Sequence, residues 1–513
     1  VFNLAALLLA ETSPALLSPA ALQQLLLSVS LALGSALLAV SLGLPLALIL
    51  SRLTIAGQRA ALIALLALLL VPLYVHLAGW DAVGAWLGIF GRNAPQAALS
   101  GLPSAIWVHG IAAVPWAAVI ISVGLTQVPR HEEEQALVDS SLFNLFWRIV
   151  LPRLGPWIAT GAFFAALTSW YEMTVTNVYL VPTVTEGVYN RVAGNATHSS
   201  IYAFPAYVLF ALLLAMAAYA TRVLMLGDFR EWNRPAPRWS LTTSVGGTSV
   251  VWLLLLLIAG VPLLVLVRQA GLTTRILDNE PIRQWTAAAL ASTLWRTLLV
   301  TRMDFFWTLV TGSLAATIAV VIAVPAAWWG RGRQSEPTSR WKFGVLVLVA
   351  LLLLAVPGPL VALAIMQAMN WPGATPLHFL YDRTVVAPAI AQAVRAFPLV
   401  LLLIWHAIGR FDRTQLEAAE LDGCGPWQSL WRVVLPQRRG ALAAAWLVAL
   451  TIAVGDVSAS LLVIPAGKDL IQRRLFGMIH SGVDNQVAAA CLILIAFLTL
   501  CAAASSRFRV RSS

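Results

Sequence analysis

Apolar residues in this chain gather into long runs separated by short stretches rich in Arg, Pro and Gly. Crossing about 30 Å of hydrocarbon takes about 20 mostly apolar helical residues, and eleven runs approach that length. In the first half they are Leu25–Leu50, Ala61–Gly79, Ser104–Leu125, Ile158–Val181 and Ile201–Leu226. The second half has Val250–Val267, Phe305–Trp329, Phe343–Met369, Val385–Ile408, Ala441–Ile464 and Val487–Ala504. The pattern predicts an all-α, polytopic membrane protein of about 11–12 spans. The twelfth depends on whether Val1–Ala10, too short to cross, is the stub of another helix or an interfacial segment. No Met opens the chain and no basic stretch precedes Leu8 and Leu9, so the expectation is no cleaved signal peptide, but another start or a missing N-terminal piece.

Composition agrees with a bilayer. Of 513 residues, 60% are hydrophobic and 11% charged, against about 25% charged in soluble domains. The net charge of +11 comes almost wholly from Arg scattered between the runs, which argues against nucleic acid and for membrane topology. Alternate loops carry most of the arginines, among them Arg52, Arg148, Arg331, Arg432 and Arg507, and these are the predicted cytoplasmic loops; the C-terminus is then inside. One opposing loop breaks the contrast, with Arg268, Arg275, Arg283, Arg296 and Arg302. Cys424, Cys491 and Cys501 have no metal-ligand spacing.

An internal repeat organises the rest. Trp147-Arg148-Ile149-Val150-Leu151-Pro152 recurs as Trp431-Arg432-Val433-Val434-Leu435-Pro436, and the same register sets Glu133 against Glu417 and Glu172 against Asp456. Pro45 and Pro325 match near the inner ends of corresponding runs. Duplicated halves follow, 1–240 and 241–513, with the opening helix of the first missing or truncated.

The second repeated loop reads Glu417-Ala418-Ala419-Glu420-Leu421-Asp422-Gly423, with Leu435-Pro436 closing it. An acid suits a helix N-terminus, the alanines favour a slim helix, and Gly423 permits a sharp turn. This loop resembles the EAA motif of permeases from binding-protein-dependent (type I) ABC importers, and the fused two-repeat arrangement is most similar to the ferric-iron type. The resemblance implies that fold in both halves, with loops that couple to two copies of a cytoplasmic ABC ATPase. It further implies a bacterial inner-membrane location, an extracytoplasmic substrate-binding protein as second partner, and iron transport. The coupling residues implied are Glu417, Ala418, Ala419, Gly423, Leu435 and Pro436, then Glu133, Asp139, Leu151 and Pro152 in the first copy. That copy departs from the motif: it reads Glu132-Glu133-Glu134-Gln135, with Asp139 at the glycine position.

Neither Lys342 nor Lys468 follows a phosphate-cradling glycine loop, so ATP hydrolysis is assigned to a separate subunit and the chain is read as a transport protein rather than an enzyme. No catalytic residue, metal site or cofactor is expected, and His109 and His406 stand alone within spans. Three charges fall well inside predicted spans, away from their ends: Glu172, Asp456 and Arg395. Charges there usually face a cavity or a partner, so they line the translocation path or gate, or else tie helices together, with Arg395 and Asp456 expected to pair. Thiamine, polyamine or phosphonate remain alternative cargoes, and an ion-coupled secondary transporter is the alternative of another class.

Overall fold

The computed structural model describes residues 19–89, 100–193, 239, 243–277, 280–331, 337–409 and 411–510. The predicted span Ile201–Leu226 and the run Val1–Ala10 lie outside them. Among the described residues, six helices are long and apolar enough to cross a membrane, and up to nine spans result if each sharply bent helix pair counts as one. Among the described residues the fold is helical, apart from an antiparallel hairpin of β1 (Leu272–Leu277) and β2 (Glu280–Trp285).

The chain forms two compact units, Val1–Thr293 with Ile479–Cys491, and Leu294–Met478 with Leu492–Ser513. In the first, α1 (Pro19–Arg52) is followed by α2 (Gln58–Leu68), α3 (Leu73–Leu87), α4 (Leu102–Leu125), α5 (Arg130–Asp139) and α6 (Leu151–Tyr171). Helices α1, α4 and α6 pack together through Ala36, Ala39, Ala113, Ala117 and Ala165. In lipid, apolar side chains gain little by leaving one apolar medium for another, so close backbone approach and van der Waals contact bind helices. A Cβ on Gly110 would stand 2.6 Å from Leu38 Cδ2, and one on Gly43 would stand 2.9 Å from Ala117 Cβ. The span of α7 (Val245–Leu255) and α8 (Val261–Ala270) follows the predicted border at residue 240, yet α8 packs on α3 in this first unit. A repeat of the sequence and a unit of packing are therefore different sets of residues.

The border between units falls inside α9 (Ala287–Arg331), a single helix of 45 residues. The sequence reading of a span over Phe305–Trp329 captures only its second part. At 1.5 Å per residue α9 is roughly 67 Å long, more than twice the hydrocarbon thickness. Aromatic residues favour membrane interfaces, and Phe306-Trp307 and Trp328-Trp329 mark a stretch of suitable length near its end. The five arginines that spoil the loop pattern all precede that stretch, on α8, the hairpin and the early turns of α9.

Along the chain α9 is followed by α10 (Pro337–Ala355), α11 (Gly358–Met369), α12 (Val386–Gly409), α13 (Arg413–Leu421) and α14 (Arg439–Gly455) of the second unit, then by α15 (Ile471–Ser481) and α16 (Asp484–Val510), whose residues 479–481 and 484–491 belong to the first unit. Two predicted straight spans are broken at a Val-Pro step: α2 and α3 meet at 104° beside Val71-Pro72, and α10 and α11 at 98° beside Val356-Pro357. Proline lacks an N–H and disfavours helical conformation in the residue before it, which ends the first helix of each pair.

Equivalent elements lie 284 residues apart. Leu102–Leu125 and Val386–Gly409 share that offset, and so do the π-helical turns Phe146–Val150 and Leu430–Val434. In each turn the next N–H reaches back five residues, from Leu151 to Phe146 O and from Leu435 to Leu430 O. The proline that follows, Pro152 or Pro436, has no N–H for the carbonyl four residues earlier and its ring crowds that oxygen, so the helix widens. A third π turn, Leu256–Gly260, likewise runs into Val261-Pro262.

Gly110→Leu should lower detergent-solubilised thermal stability by about 1–3 kcal/mol through overpacking against α1. Gly155→Ala, at a helical position with open space around the added Cβ, should change little. Equal effects of the two substitutions in a thermal melt would contradict the packing described.

Candidate coupling site

The second repeated loop folds as the residues dictate. Asp412 caps α13, its Oδ1 accepting from Thr414 N at 3.1 Å. The helix stops after Leu421 because Gly423 takes φ +81°, a left-handed conformation that glycine adopts without Cβ strain. Cys424 N then donates to Ala419 O at 2.9 Å and Gly423 N to Glu420 O at 3.0 Å, the paired bonds of a Schellman cap. Ala419 is the buried side of the helix; Glu417, Ala418 and Gly423 are exposed, and Leu421 is 89% exposed. The chain continues through the short helix Pro426–Ser429 into the π turn, where Trp427 and Trp431 are 54% and 63% exposed. Leu435 is half-buried and Pro436 exposed at the head of the next segment.

The first loop is built on the same plan with a different surface. Ala136 of α5, together with Leu145 and Val150 of the following turns, is buried against Ala47, Ile121 and Leu125 near the ends of α1 and α4. Asp139 is helical, and the chain leaves α5 through Ser140 in an extended conformation, φ −145°, so no left-handed turn forms. Leu151 is half-buried and Pro152 exposed, as in the second copy. Phe143 and Trp147, exposed like their counterparts Trp427 and Trp431, have ring centroids 5.9 Å apart with their planes tilted by 52°. The exposed aromatic pair four residues apart is a feature of both loops that the acid-and-glycine motif does not include; the Trp in the recurring hexapeptide is its only trace in the sequence.

Glu133, expected at the coupling surface, is instead fully buried. Arg52, the last residue of α1, donates Nε to its Oε2 at 2.9 Å and Nη2 to its Oε1 at 2.7 Å. Trp239 Nε1 donates to the same Oε2 at 2.9 Å. The exposed acid Glu132 pairs with Arg153.

Of the three charges expected within spans, Glu172 and Asp456 sit at helix ends, whereas Arg395 lies within the continuous helix α12. Helix α6 stops at Tyr171 and α14 at Gly455; Glu172 and Asp456 follow in extended conformation, both buried. The Glu172 carboxylate turns back on the chain, accepting from Met173 N at 3.1 Å, Thr174 N at 2.8 Å and the Thr174 hydroxyl, and so caps the short helix Thr174–Val178. Arg395, on α12, stands 3.9 Å through Nε from Asp456 Oδ1, the ion pair read from the sequence. Its shorter contacts are to backbone: Nη1 donates to Val356 O at 3.0 Å, Leu353 O at 3.3 Å and Leu354 O at 3.4 Å. Those carbonyls lie at the 98° break between α10 and α11, where the helical ladder offers them no N–H. Beyond Glu172, Asn177 joins two further polar groups, donating to Glu186 Oε1 at 3.2 Å and meeting His480 Nε2 at 2.9 Å. Burial pushes the Glu186 carboxyl up. Among the described residues, no three His, Cys, Asp or Glu side chains stand together as a metal site. Lys468 lies 5.0 Å from the Trp307 ring and Lys342 5.7 Å from that of Trp329.

No family model matches the chain. It is similar to the spermidine/putrescine transport system permease protein PotC of Haemophilus influenzae, 29% identical over 106 residues, covering 21% of this chain and 41% of the relative. It is also similar to the molybdenum transport system permease protein ModB of Azotobacter vinelandii, 26% identical over 210 residues, which are 39% of this chain and 91% of that protein. A third relative, the putrescine transport system permease protein PotI of Escherichia coli, is 25% identical over 187 residues, 35% of this chain and 61% of the relative. The chain thus spans about two-fifths of the length of the PotC relatives it matches.

Replacing Arg395 by Met should destabilise the protein more than Asp456→Asn, because it strands three carbonyls as well as a carboxylate. Loss of one partner of a buried pair costs about 3–5 kcal/mol. The double variant should be less stable than wild type by clearly less than the sum of the single losses. Strict additivity in a detergent melt would show that the pair carries no coupling.

Proposed function

We propose that this chain is the transmembrane permease of an ABC importer, carrying both halves of the translocation unit in one polypeptide, and that its two repeated loops dock onto two copies of a cytoplasmic ATPase. The observation with most weight is the shared loop design. A short helix, an exposed aromatic pair and a π turn ending in Leu-Pro occur twice at a constant spacing of 284 residues. Large exposed aromatic residues in a non-spanning loop mark an interaction surface, and the permease relatives of polyamine and molybdenum systems support the same class. In this reading the protein is a multi-pass protein of a bacterial inner membrane with its C-terminus and coupling loops in the cytoplasm. An extracytoplasmic binding protein delivers cargo to the opposite face, and hydrolysis belongs to the ATPase. Glu172, Arg395 and Asp456 brace the helix ends that frame the translocation path.

Cargo is the less constrained part. Spermidine and putrescine differ chemically from the molybdenum cargo named for ModB, so likeness to both kinds of permease reports a common scaffold and no preference of cargo. Ferric iron rests on the likeness of the fused arrangement, and polyamine import draws support from the PotC and PotI relatives. An ion-coupled secondary transporter would place cation-coordinating groups at its broken helices. Here the break between α10 and α11 is filled by the guanidinium of Arg395, which repels a coupling cation.

Purified chain should show no ATP hydrolysis, and an ABC ATPase co-expressed from the same organism should co-purify. Glu417→Arg, Gly423→Leu and Trp431→Ala should each reduce that co-purification at least ten-fold without changing the melting behaviour of the membrane helices. Full retention of the ATPase by Glu417→Arg and Trp431→Ala would remove the docking assignment.

A further inference from the structure

The two loops place equivalent acids differently: Glu417 faces solvent, whereas Glu133 is 0% exposed and Arg52 1%. Four pieces of chain converge on the buried pair. Arg52 ends α1, and its Nη2 also donates to Leu125 O, the last residue of α4, at 2.6 Å. Glu133 belongs to α5. Trp239 comes from the connector that leads into the second repeat; its indole N–H reaches Glu133 and its backbone N–H donates to Arg52 O at 2.8 Å. Just beyond, Ser244 N donates to Thr54 O at 2.8 Å, and Thr54 and Thr243 form a parallel bridge.

We propose that Arg52, Glu133 and Trp239 form a strut that makes the first coupling helix move as one body with α1, α4 and the inter-repeat connector. In this arrangement Glu133 is a positioning residue and not a contact to the ATPase; the inference rests on the docking reading above. A helix joined to its neighbours only by backbone can swivel when pushed. A bidentate guanidinium–carboxylate contact resists rotation as well as separation, and in a site closed to water it has no solvent partner to exchange with. Helix α1, 34 residues long, carries a displacement made at its Arg52 end across the membrane. The second loop keeps its acid outward, so the acid of one copy faces the partner while that of the other faces the permease itself.

The test uses the full chain with the ABC ATPase that co-purifies with it, reading ATPase co-purification and ATP hydrolysis of the complex relative to free ATPase. Glu133→Gln should keep co-purification within about two-fold of wild type while stimulated hydrolysis falls about ten-fold; Glu417→Gln should lose co-purification itself. The exchange of partners, Arg52→Glu with Glu133→Arg, should restore at least half of the stimulation lost by either change alone. If the charge variants fail to fold, Trp239→Phe, which removes one hydrogen bond and spares the ion pair, should still reduce stimulation two- to three-fold. Loss of co-purification by Glu133→Gln equal to that of Glu417→Gln, folded single variants without rescue by the exchange, or wild-type stimulation in Trp239→Phe would each overturn the strut alone. A wild-type chain that retains no ATPase would overturn the docking reading, and the strut with it.

Discussion

Hydrocarbon offers no hydrogen bonds to a backbone that leaves its helix, and each unpaired amide or carbonyl there costs several kcal/mol. Two of the buried charges in this protein answer that constraint. Where α10 breaks before Pro357, Arg395 reaches across from α12 and donates to three carbonyls. After α6 ends at Tyr171, the Glu172 carboxylate collects the next amides. A charged group serves in each place because an ionised donor or acceptor makes stronger hydrogen bonds than a neutral one, and several backbone groups share it. Each charge is thereby tied to the break it repairs.

The same economy accounts for the π turns. A proline inside a helix leaves an orphan carbonyl; widening the helix by one residue per turn lets the preceding residue bond five positions back instead. Leu151-Pro152 and Leu435-Pro436 are in this sense instructions for the geometry of the segment ahead of them. Trp147 and Trp431 belong to the widened turns themselves, which lead into the following segment, so the exposed aromatic pair and the Leu-Pro ending are parts of one local structure.

Equivalent positions have acquired different physical environments. Arg395 has Ile111 at the matching place, and at the break between α2 and α3 the chain makes backbone turn bonds such as Leu70 N to Ala67 O and Val75 N to Pro72 O. Gly423 makes a left-handed turn where Asp139 continues its helix. Glu417 meets water while Glu133 meets Arg52. Duplicated units that come to bear different loads would diverge in this way, with the packing frame retained and the polar contacts reassigned.

Periodicity and covalent restriction are local properties, and they made several features legible in the sequence. The apolar runs marked the helices because span length is set by bilayer thickness, and the recurring hexapeptide exposed the register at which α4 and α12 also match. Gly423 announced its turn because few other residues tolerate that φ. Whether an apolar run is one helix or two was not legible: Ala61–Gly79 and Phe343–Met369 read as continuous, and a proline near mid-run is compatible with a kink as well as a break. The length of α9 was hidden too, since its early turns are too polar to count as a span. Above all, the sequence set Glu133 and Glu417 side by side as equivalent acids. Only the tertiary structure separates them, because the partner of Glu133 lies 81 residues earlier, and burial depends on which helix ends meet, a long-range fact that no local pattern encodes.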